Sequence, residues 1–155
     1  MKRIILKNTI QIIYQKNPSS NTVYLEAGFL AGLFSAKIEK QQIPHILEHL
    51  ILRNFTSKNN EFQKNGKTNN LITTFSFEST AESFEKTLNK FTPPPFFFEN
   101  FNFTENDLQI QKNIIKNEII TSTKGNTEIY TEILKNQNIP ALNYIEEVET
   151  LSKNN

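Results

Sequence analysis

Both histidines of the chain lie in one short stretch, residues 44–50, whose sequence is PHILEHL. His45 and His49 are four residues apart, and Glu48 directly precedes the second histidine. On an α-helix, residues at positions i, i+3 and i+4 share one face, so this spacing brings two imidazole rings and a carboxylate together. Two imidazole nitrogens can bind a zinc ion, and a carboxylate beside them can act as a base. The pattern H-x-x-E-H therefore predicts a metal site that carries its own base.

The residues around the histidines predict a helix that is mostly buried. Pro44 suits the first turn of a helix, where the N–H that proline lacks is not needed. Apolar residues then cover most sides of the helix as far as Asn54, namely Ile46, Leu47, Leu50, Ile51 and Leu52. A helix that carries two histidines by coincidence is the alternative. We favour the metal site, because buried imidazole and carboxylate groups need polar partners.

Composition excludes several classes of function. The chain has 155 residues, of which 37% are hydrophobic, which is enough for one domain with its own core. The 17 basic and 16 acidic residues nearly balance, and no basic stripe is present, so we expect no nucleic-acid partner. Cysteine is absent, which excludes disulfides and thiolate chemistry.

The apolar segments are short. The run at residues 4–6 follows basic residues, but three residues cannot form the core of a signal peptide. No other segment approaches the length of a membrane-spanning helix. The sequence therefore predicts a cytoplasmic protein with no membrane partner.

The N-terminal half predicts strands around the helix of the histidines. Residues 4–6 and 10–14 read as two short strands about a turn, and residues 22–27 alternate as a third strand. A turn is predicted at residues 17–21 and another at Asn65-Gly66. Residues 70–79 alternate again and predict a strand.

The C-terminal half predicts helices. Residues 81–91 suit a short helix that the prolines at 93–95 stop, and a phenylalanine cluster over residues 96–103 predicts packing under a loop. Residues 104–107 (TEND) resemble a capping box, which predicts a long helix to about Thr123. A further helix is predicted over 127–136, and the tail from 143 to 155 is expected to be weakly helical and to fray.

A third metal ligand is needed, because a catalytic zinc usually has three protein ligands and an open position for water. Glu118 lies in the long helix between isoleucines, in the sequence IIKNEII at 114–120. On spacing alone, an ordinary glutamate on the helix surface is the better interpretation. Nothing local determines how close Glu118 comes to His45.

These segments together resemble the pitrilysin, or insulinase, family of zinc metallopeptidases, which also includes mitochondrial processing peptidase. The histidine motif matches the inverted zinc signature of that family in full. The weaker similarities follow in the family's order, over roughly residues 4–152: a strand-turn-strand at 6–10 (LKNTI), a strand and glycine-containing loop at 23–32, a strand at 70–74 (NLITT) and a helix at 114–119 (IIKNEI).

The resemblance implies roles for particular residues. His45, His49 and Glu118 would bind Zn²⁺, and Glu48 would be the general base that accepts a proton from water as it attacks a peptide carbonyl. Asn70 would contact the substrate backbone. The peptide substrate would add as a strand to a sheet edge near the zinc.

The chain departs from the family pattern at five points, of which the last three affect these implications. Thr9 and Leu71 replace residues that are usually a glycine and a small residue, and Gln111 stands where a second glutamate is common. The spacing from His49 to Glu118 is shorter than usual by about seven residues, or roughly two helical turns, which a shorter helix over 81–91 can absorb. Family members are also longer and close a chamber with a second, homologous domain. The resemblance therefore implies a second peptidase half or a homologous subunit as partner.

For the fold we expect the α+β class, with an antiparallel-rich sheet and helices packed on one face. Residues 1–155 would form a single pitrilysin-like metallopeptidase half-domain that is incomplete at its C-terminus. The predicted function is that of a zinc-dependent metalloendopeptidase. The alternative is a non-catalytic or truncated remnant of a metallopeptidase that binds zinc or peptide, and a helical interaction module without metal is a third interpretation.

Overall fold

A computed structural model of the chain describes residues 1–7, 11–37, 40–54, 62–91, 102–123 and 144–152. The helix predicted over 127–136, the proline stop at 93–95 and the clustered phenylalanines Phe96, Phe97, Phe98 and Phe101 lie outside these residues.

The N-terminal strands form a small ribbon of their own. Strand β1 (Lys2–Ile5) pairs antiparallel with β2 (Gln11–Tyr14), and Ile4 lies opposite Ile12. All residues of both strands are exposed. The two predicted strands are thus confirmed, although the ribbon contributes no buried side chain.

A three-stranded antiparallel sheet carries the rest of the β structure. Its strands are β3 (Thr22–Phe29), β4 (Phe62–Thr68) and β5 (Thr73–Thr80), in the order β3-β5-β4. In β5, alternate side chains are buried, and Phe75 and Phe77 are each 3% exposed. The period-2 pattern at 70–79 therefore predicted the buried face of this strand correctly.

The start of that strand is later than predicted. Residues 69–72 form the connection between β4 and β5, and the Asn69 side chain holds it by accepting hydrogen bonds from the backbone N–H groups of Leu71 and Ile72, both at 2.9 Å. An asparagine that bonds to the backbone two or three residues ahead stabilises a turn.

The turn predicted at Asn65-Gly66 is wrong. Both residues lie inside β4, where Gly66 pairs with Phe75 of β5. Asn-Gly is a turn signal because both residues tolerate positive φ, but glycine is also selected where another group approaches the backbone closely. The close approach at Gly66 concerns the candidate site and is described below.

Helix α1 (Ile43–Asn54) lies between the sheet and another long helix. On the sheet side, Ile51 and Leu52 pack with three phenylalanines, Phe62, Phe75 and Phe77. On the other side, Ile46 and Leu50 pack with α3 (Glu105–Thr123) and its buried side chains Leu108 and Ile115. The apolar residues around the histidine motif thus bury α1 on two sides, as predicted.

The capping box at the start of α3 is confirmed. The Thr104 hydroxyl accepts from the Asp107 backbone N–H at 3.1 Å, and the Asp107 carboxylate accepts from the Thr104 backbone N–H at 2.9 Å. Asp107 also forms an ion pair with Arg53 near the end of α1. Two orphan N–H groups of the helix start are satisfied, and the two helices gain a polar contact.

Of the two remaining helices, one has the predicted bounds and the other lies in a segment that was predicted to fray. Helix α2 (Ala81–Phe91) has the predicted bounds and directly follows β5. Helix α4 (Tyr144–Thr150) falls in the tail that was expected to fray, but its Val148 is fully buried. Lys112 also binds the end of this helix, with its Nζ 2.8 Å from the Glu149 carbonyl and 2.9 Å from that of Leu151.

The predicted α+β class with antiparallel sheets is therefore confirmed. One detail differs, because α1 covers the sheet while α3 packs against α1. Among the described residues, no helix combines the length and the apolarity that crossing a membrane requires.

Candidate metal centre

Three side chains from two helices converge at one point. His45 and His49 project from the same face of α1, with ring centroids 5.0 Å apart. The Oε2 atom of Glu118, on α3, lies 3.4 Å from His45 Nε2 and 3.5 Å from His49 Nε2. One ligand atom from each residue lies within 4.8 Å of the others, so the group could hold a metal ion.

The core between the helices determines where Glu118 lies. Ile115, with 0% of its surface exposed, packs in the cluster that contains Ile46 and Leu50 of α1. Glu118 follows Ile115 by three residues, which is close to one helical turn. Burial of Ile115 therefore brings Glu118 alongside the histidines, a relationship that the spacing in the sequence could not supply.

A buried glutamine orients His49. The amide Oε1 of Gln111 lies 3.2 Å from His49 Nδ1, and Gln111 is 7% exposed. An amide oxygen only accepts hydrogen bonds, so Nδ1 carries the hydrogen and the Nε2 lone pair faces Glu118. Gln111 thus gives His49 an uncharged hydrogen-bond acceptor.

A second glutamine orients His45, and the sequence analysis missed it. The Oε1 atom of Gln42 lies 3.2 Å from His45 Nδ1, and Gln42 is 3% exposed. This contact selects the same tautomer as in His49. Gln42 precedes His45 by three residues, a helical spacing that could have indicated the contact.

The environment of His45 favours its neutral form. Burial lowers the pKa of His45, and the neighbouring His49 lowers it further, while Glu118 acts in the opposite direction. With the hydrogen of each ring on Nδ1, the two Nε2 lone pairs and a carboxylate oxygen face one another. Such an arrangement of electron-rich atoms is stabilised by a cation.

Glu48 lies beside this group as a buried carboxylate, with 4% of its surface exposed. Its Oε2 accepts a hydrogen bond from the Thr68 hydroxyl at 3.0 Å. Burial is the main cause that raises the pKa of Glu48, and the charge of Glu118 adds to it, while Thr68 and His49 oppose the shift. A carboxyl group with a raised pKa is suited to accept and release protons nearer neutral pH.

Two neighbouring threonine hydroxyls lie between Glu48 and the sheet. Thr68 donates its hydrogen to Glu48 and Thr73 donates its own to the Ala31 carbonyl at 2.6 Å, while the two hydroxyl oxygens lie 3.1 Å apart across β4 and β5. Thr73 is 5% exposed, so water does not compete freely for these bonds. The sequence analysis missed Thr68, because no local pattern distinguishes it from the other threonines.

Gly66 makes room for Glu48. A Cβ atom added at Gly66 would lie 2.7 Å from the carboxylate carbon of Glu48 and 2.6 Å from Leu52 Cδ1. Real Cβ contacts are essentially never this short. The glycine that predicted a turn therefore lies at the close approach of α1 to β4, where an added Cβ would displace the ends of the Glu48 and Leu52 side chains.

Asn70 lies in the connection between β4 and β5, and its side chain is exposed. Its carbonyl accepts a hydrogen bond from the Phe34 backbone N–H at 2.9 Å, which joins this connection to the 3₁₀ turn Leu33–Ser35. The contact of Asn70 with substrate stays a prediction.

Comparison of the chain with models of known protein families and with curated protein sequences gives no match. The functional evidence therefore comes from the group His45, His49 and Glu118, which could hold a metal ion, and from Glu48 beside it.

Proposed function

We propose that the chain is a zinc-dependent metalloendopeptidase domain of the pitrilysin type. His45, His49 and Glu118 hold the zinc ion, and Glu48 is the general base. One observation carries the proposal: the Glu118 carboxylate lies within 3.5 Å of both Nε2 atoms, while the buried Glu48 sits on the same helix as the histidines.

The types of the ligand atoms support zinc as the metal. Glu118 Oε2 lies 3.4 Å and 3.5 Å from the two imidazole nitrogens, and one ligand atom from each of the three residues lies within 4.8 Å of the others. Two imidazoles with one carboxylate also suit zinc better than magnesium or calcium, which prefer oxygen ligands.

The number of ligands supports a catalytic role over a structural one. Structural zinc sites use four protein ligands, whereas catalytic sites use three and keep one position for water. Among the described residues, three residues form the candidate metal group. When bound, zinc would supply Lewis-acid chemistry, lowering the pKa of water to about 7 and polarising a carbonyl oxygen.

Glu48 has the position and the environment of a general base. It accepts a proton from water as the oxygen attacks the peptide carbonyl, and then donates that proton to the leaving nitrogen. Its raised pKa, caused mainly by burial, favours both transfers. The Thr68 hydroxyl, 3.0 Å from Oε2, holds the carboxylate in place.

The edge of β4 is the proposed binding surface for peptide. Among the described residues, β4 is an outer strand of the three-stranded sheet, next to β5, and an extended peptide can pair with an outer strand. Gly66 in this strand lies against Glu48, which brings an added peptide close to the base. Asn70, in the connection after β4, is the proposed contact to the substrate backbone. A second peptidase half or a homologous subunit is the proposed partner.

The test combines metal content with hydrolysis of internally quenched peptides. We expect about one zinc per chain, lost in His49→Ala and in Glu118→Gln. Glu48→Gln should keep the zinc and lose activity by about 10²–10⁴-fold, the usual contribution of a general base.

Three outcomes would contradict parts of the proposal. Zinc retained in Glu118→Gln would mean that another residue is the third ligand. Equal hydrolysis by the parent and Glu48→Gln would exclude Glu48 as the base. Zinc at one per chain without hydrolysis in the parent would favour a zinc- or peptide-binding protein without turnover.

A further inference from the structure

Helix α4 is connected to the candidate metal centre through Gln42, the residue directly before α1. Glu147 on α4 accepts, through Oε1, a hydrogen bond from the backbone N–H of Gln42. The side chain of Gln42 in turn contacts His45 Nδ1 at 3.2 Å through its amide oxygen. Two hydrogen bonds therefore connect α4 to a proposed metal ligand.

Gln42 occupies the position that precedes α1, where helix N–H groups have no partner within the helix. Its carbonyl accepts from the Ile46 N–H at 3.0 Å, the first helical bond, and its own N–H is the group that Glu147 satisfies. A carboxylate at a helix start also interacts favourably with the helix dipole. Since Gln42 is 3% exposed, water cannot readily replace Glu147.

The position of α4 does not depend on Glu147 alone. Val148 and Leu151 are buried in the same core cluster as Ile46 and Leu50. Lys112 binds two carbonyls at the end of α4, and Lys116 pairs with Glu149 at 2.5 Å. Helix α4 is thus anchored on α3 and the core and can serve as a fixed support for Gln42.

We propose that Gln42 and Glu147 are positioning residues of the metal centre, so that docking of α4 strengthens metal binding. The inference rests on the proposed site at His45, His49 and Glu118. Gln42 holds His45 in the tautomer whose Nε2 is free, and Glu147 holds Gln42. By linkage, metal binding must stabilise the docking of α4 by the same factor.

The first test compares two neighbouring buried glutamines. Gln41 is 7% exposed, and its Oε1 has no hydrogen-bond partner among the described residues, which makes Gln41→Met a matched control for Gln42→Met. Zinc affinity is measured by competition with a chelator. We expect a loss of about 10–100-fold in Gln42→Met, the usual effect of removing the partner of a metal-binding histidine, and at most about twofold in Gln41→Met.

The second test examines Glu147. Glu147→Met should weaken zinc binding by about tenfold, whereas Glu147→Gln, which keeps an acceptor oxygen, should restore most of the affinity. Glu149→Gln is the comparison on the same helix: it weakens the pair with Lys116 but leaves Glu147 and Gln42 in contact, so it should lower zinc affinity less than Glu147→Met. Amide exchange in α4 should slow on addition of zinc in the parent and less so in Glu147→Met.

A readout without metal separates positioning from folding. In the metal-free parent, nitrogen-15 NMR should find the hydrogen of His45 on Nδ1, and Gln42→Met should mix the two tautomers while its amide spectrum stays folded. An unchanged tautomer, or a zinc affinity in Gln42→Met equal to that in Gln41→Met, would overturn the role of Gln42. Equal zinc affinities in Glu147→Met and Glu149→Gln would overturn the role of α4. A parent that binds no zinc would overturn the proposed function as well.

Discussion

Besides the side that faces the sheet, helix α1 has an apolar side and a polar side that are held in different ways. On the apolar side, Ile46 and Leu50 pack against the apolar residues of α3 and α4. On the polar side, His45, Glu48 and His49 each have a hydrogen-bond partner from outside α1: Gln42, Thr68 and Gln111 respectively.

The difference separates what stabilises the helix from what gives it chemistry. Apolar packing is non-directional, so the first side needs residues of suitable volume. Buried polar groups need a partner at a defined distance and angle, so the second side needs particular atoms. Substitutions on the two sides should therefore affect different properties.

The largest effects are expected at two neighbouring residues, His49 on the polar side and Leu50 on the apolar side. Leu50→Ala should lower the free energy of unfolding by about 2–5 kcal/mol, because it leaves a cavity at a site that is 2% exposed. His49→Ala should weaken zinc binding by more than about 100-fold, since losing a ligand costs more than losing its hydrogen-bond partner. Urea unfolding of the metal-free proteins and chelator competition measure the two effects. Equal loss of zinc affinity in both variants would contradict the separation.

Gly66 tests the contact between the polar side and the sheet. Gly66→Ala should destabilise the protein by about 1–3 kcal/mol, because its Cβ would overlap with Leu52 and the Glu48 carboxylate. Gly28→Ala is the control in the same sheet, since its Cβ would lie at an ordinary 3.8 Å from Thr74 Cγ2. Unfolding in urea measures both. Similar changes in the two variants would contradict a specific close approach at Gly66.

Thr68 tests whether the polar side depends on one hydroxyl. Thr68→Val removes the donor to Glu48 and should cost about 1–3 kcal/mol of stability, because a buried acceptor loses its partner. Thr68→Ser keeps the hydroxyl and should recover most of this loss. The measurement is the free energy of unfolding of Thr68→Val and Thr68→Ser at neutral pH. If both variants lose the same stability, the methyl group matters and the hydroxyl does not.

Asp107 provides a contact between α1 and α3 that belongs to neither side, and its effect on stability should depend on pH. The hydrogen bond from the Thr104 backbone N–H, together with Arg53, lowers the pKa of Asp107 from 3.8 to about 2. Because the pKa is lower in the folded protein, the stabilisation is present above pH 3.8 and is lost as the pH falls towards 2. Between pH 5 and pH 2, the free energy of unfolding should therefore fall less steeply in Asp107→Asn than in the parent. The same slope in both proteins would contradict the shift.

Local rules predicted several elements correctly. Helical spacing brought His45, Glu48 and His49 to one face, and alternation identified the buried face of β5. The capping box located the start of α3 at Glu105. The turn predicted at Gly66 was wrong because glycine also occurs where another group approaches the backbone closely. The fraying predicted for the C-terminal tail was wrong because burial of Val148 stabilises a helix of weak propensity.

The sequence by itself determined the side chains that share a face of α1, because helix geometry repeats every 3.6 residues whatever surrounds it. Only the tertiary structure decided that Glu118 approaches these side chains, that Gln42 and Gln111 orient the two imidazoles, and that Thr68 holds Glu48. These contacts join separate elements, and their distances depend on how Ile115 and the core pack α3 against α1. Packing of this kind is not encoded in the spacing of a motif, so the approach of Glu118 to the two histidines, which the resemblance implied, became visible only in the folded chain.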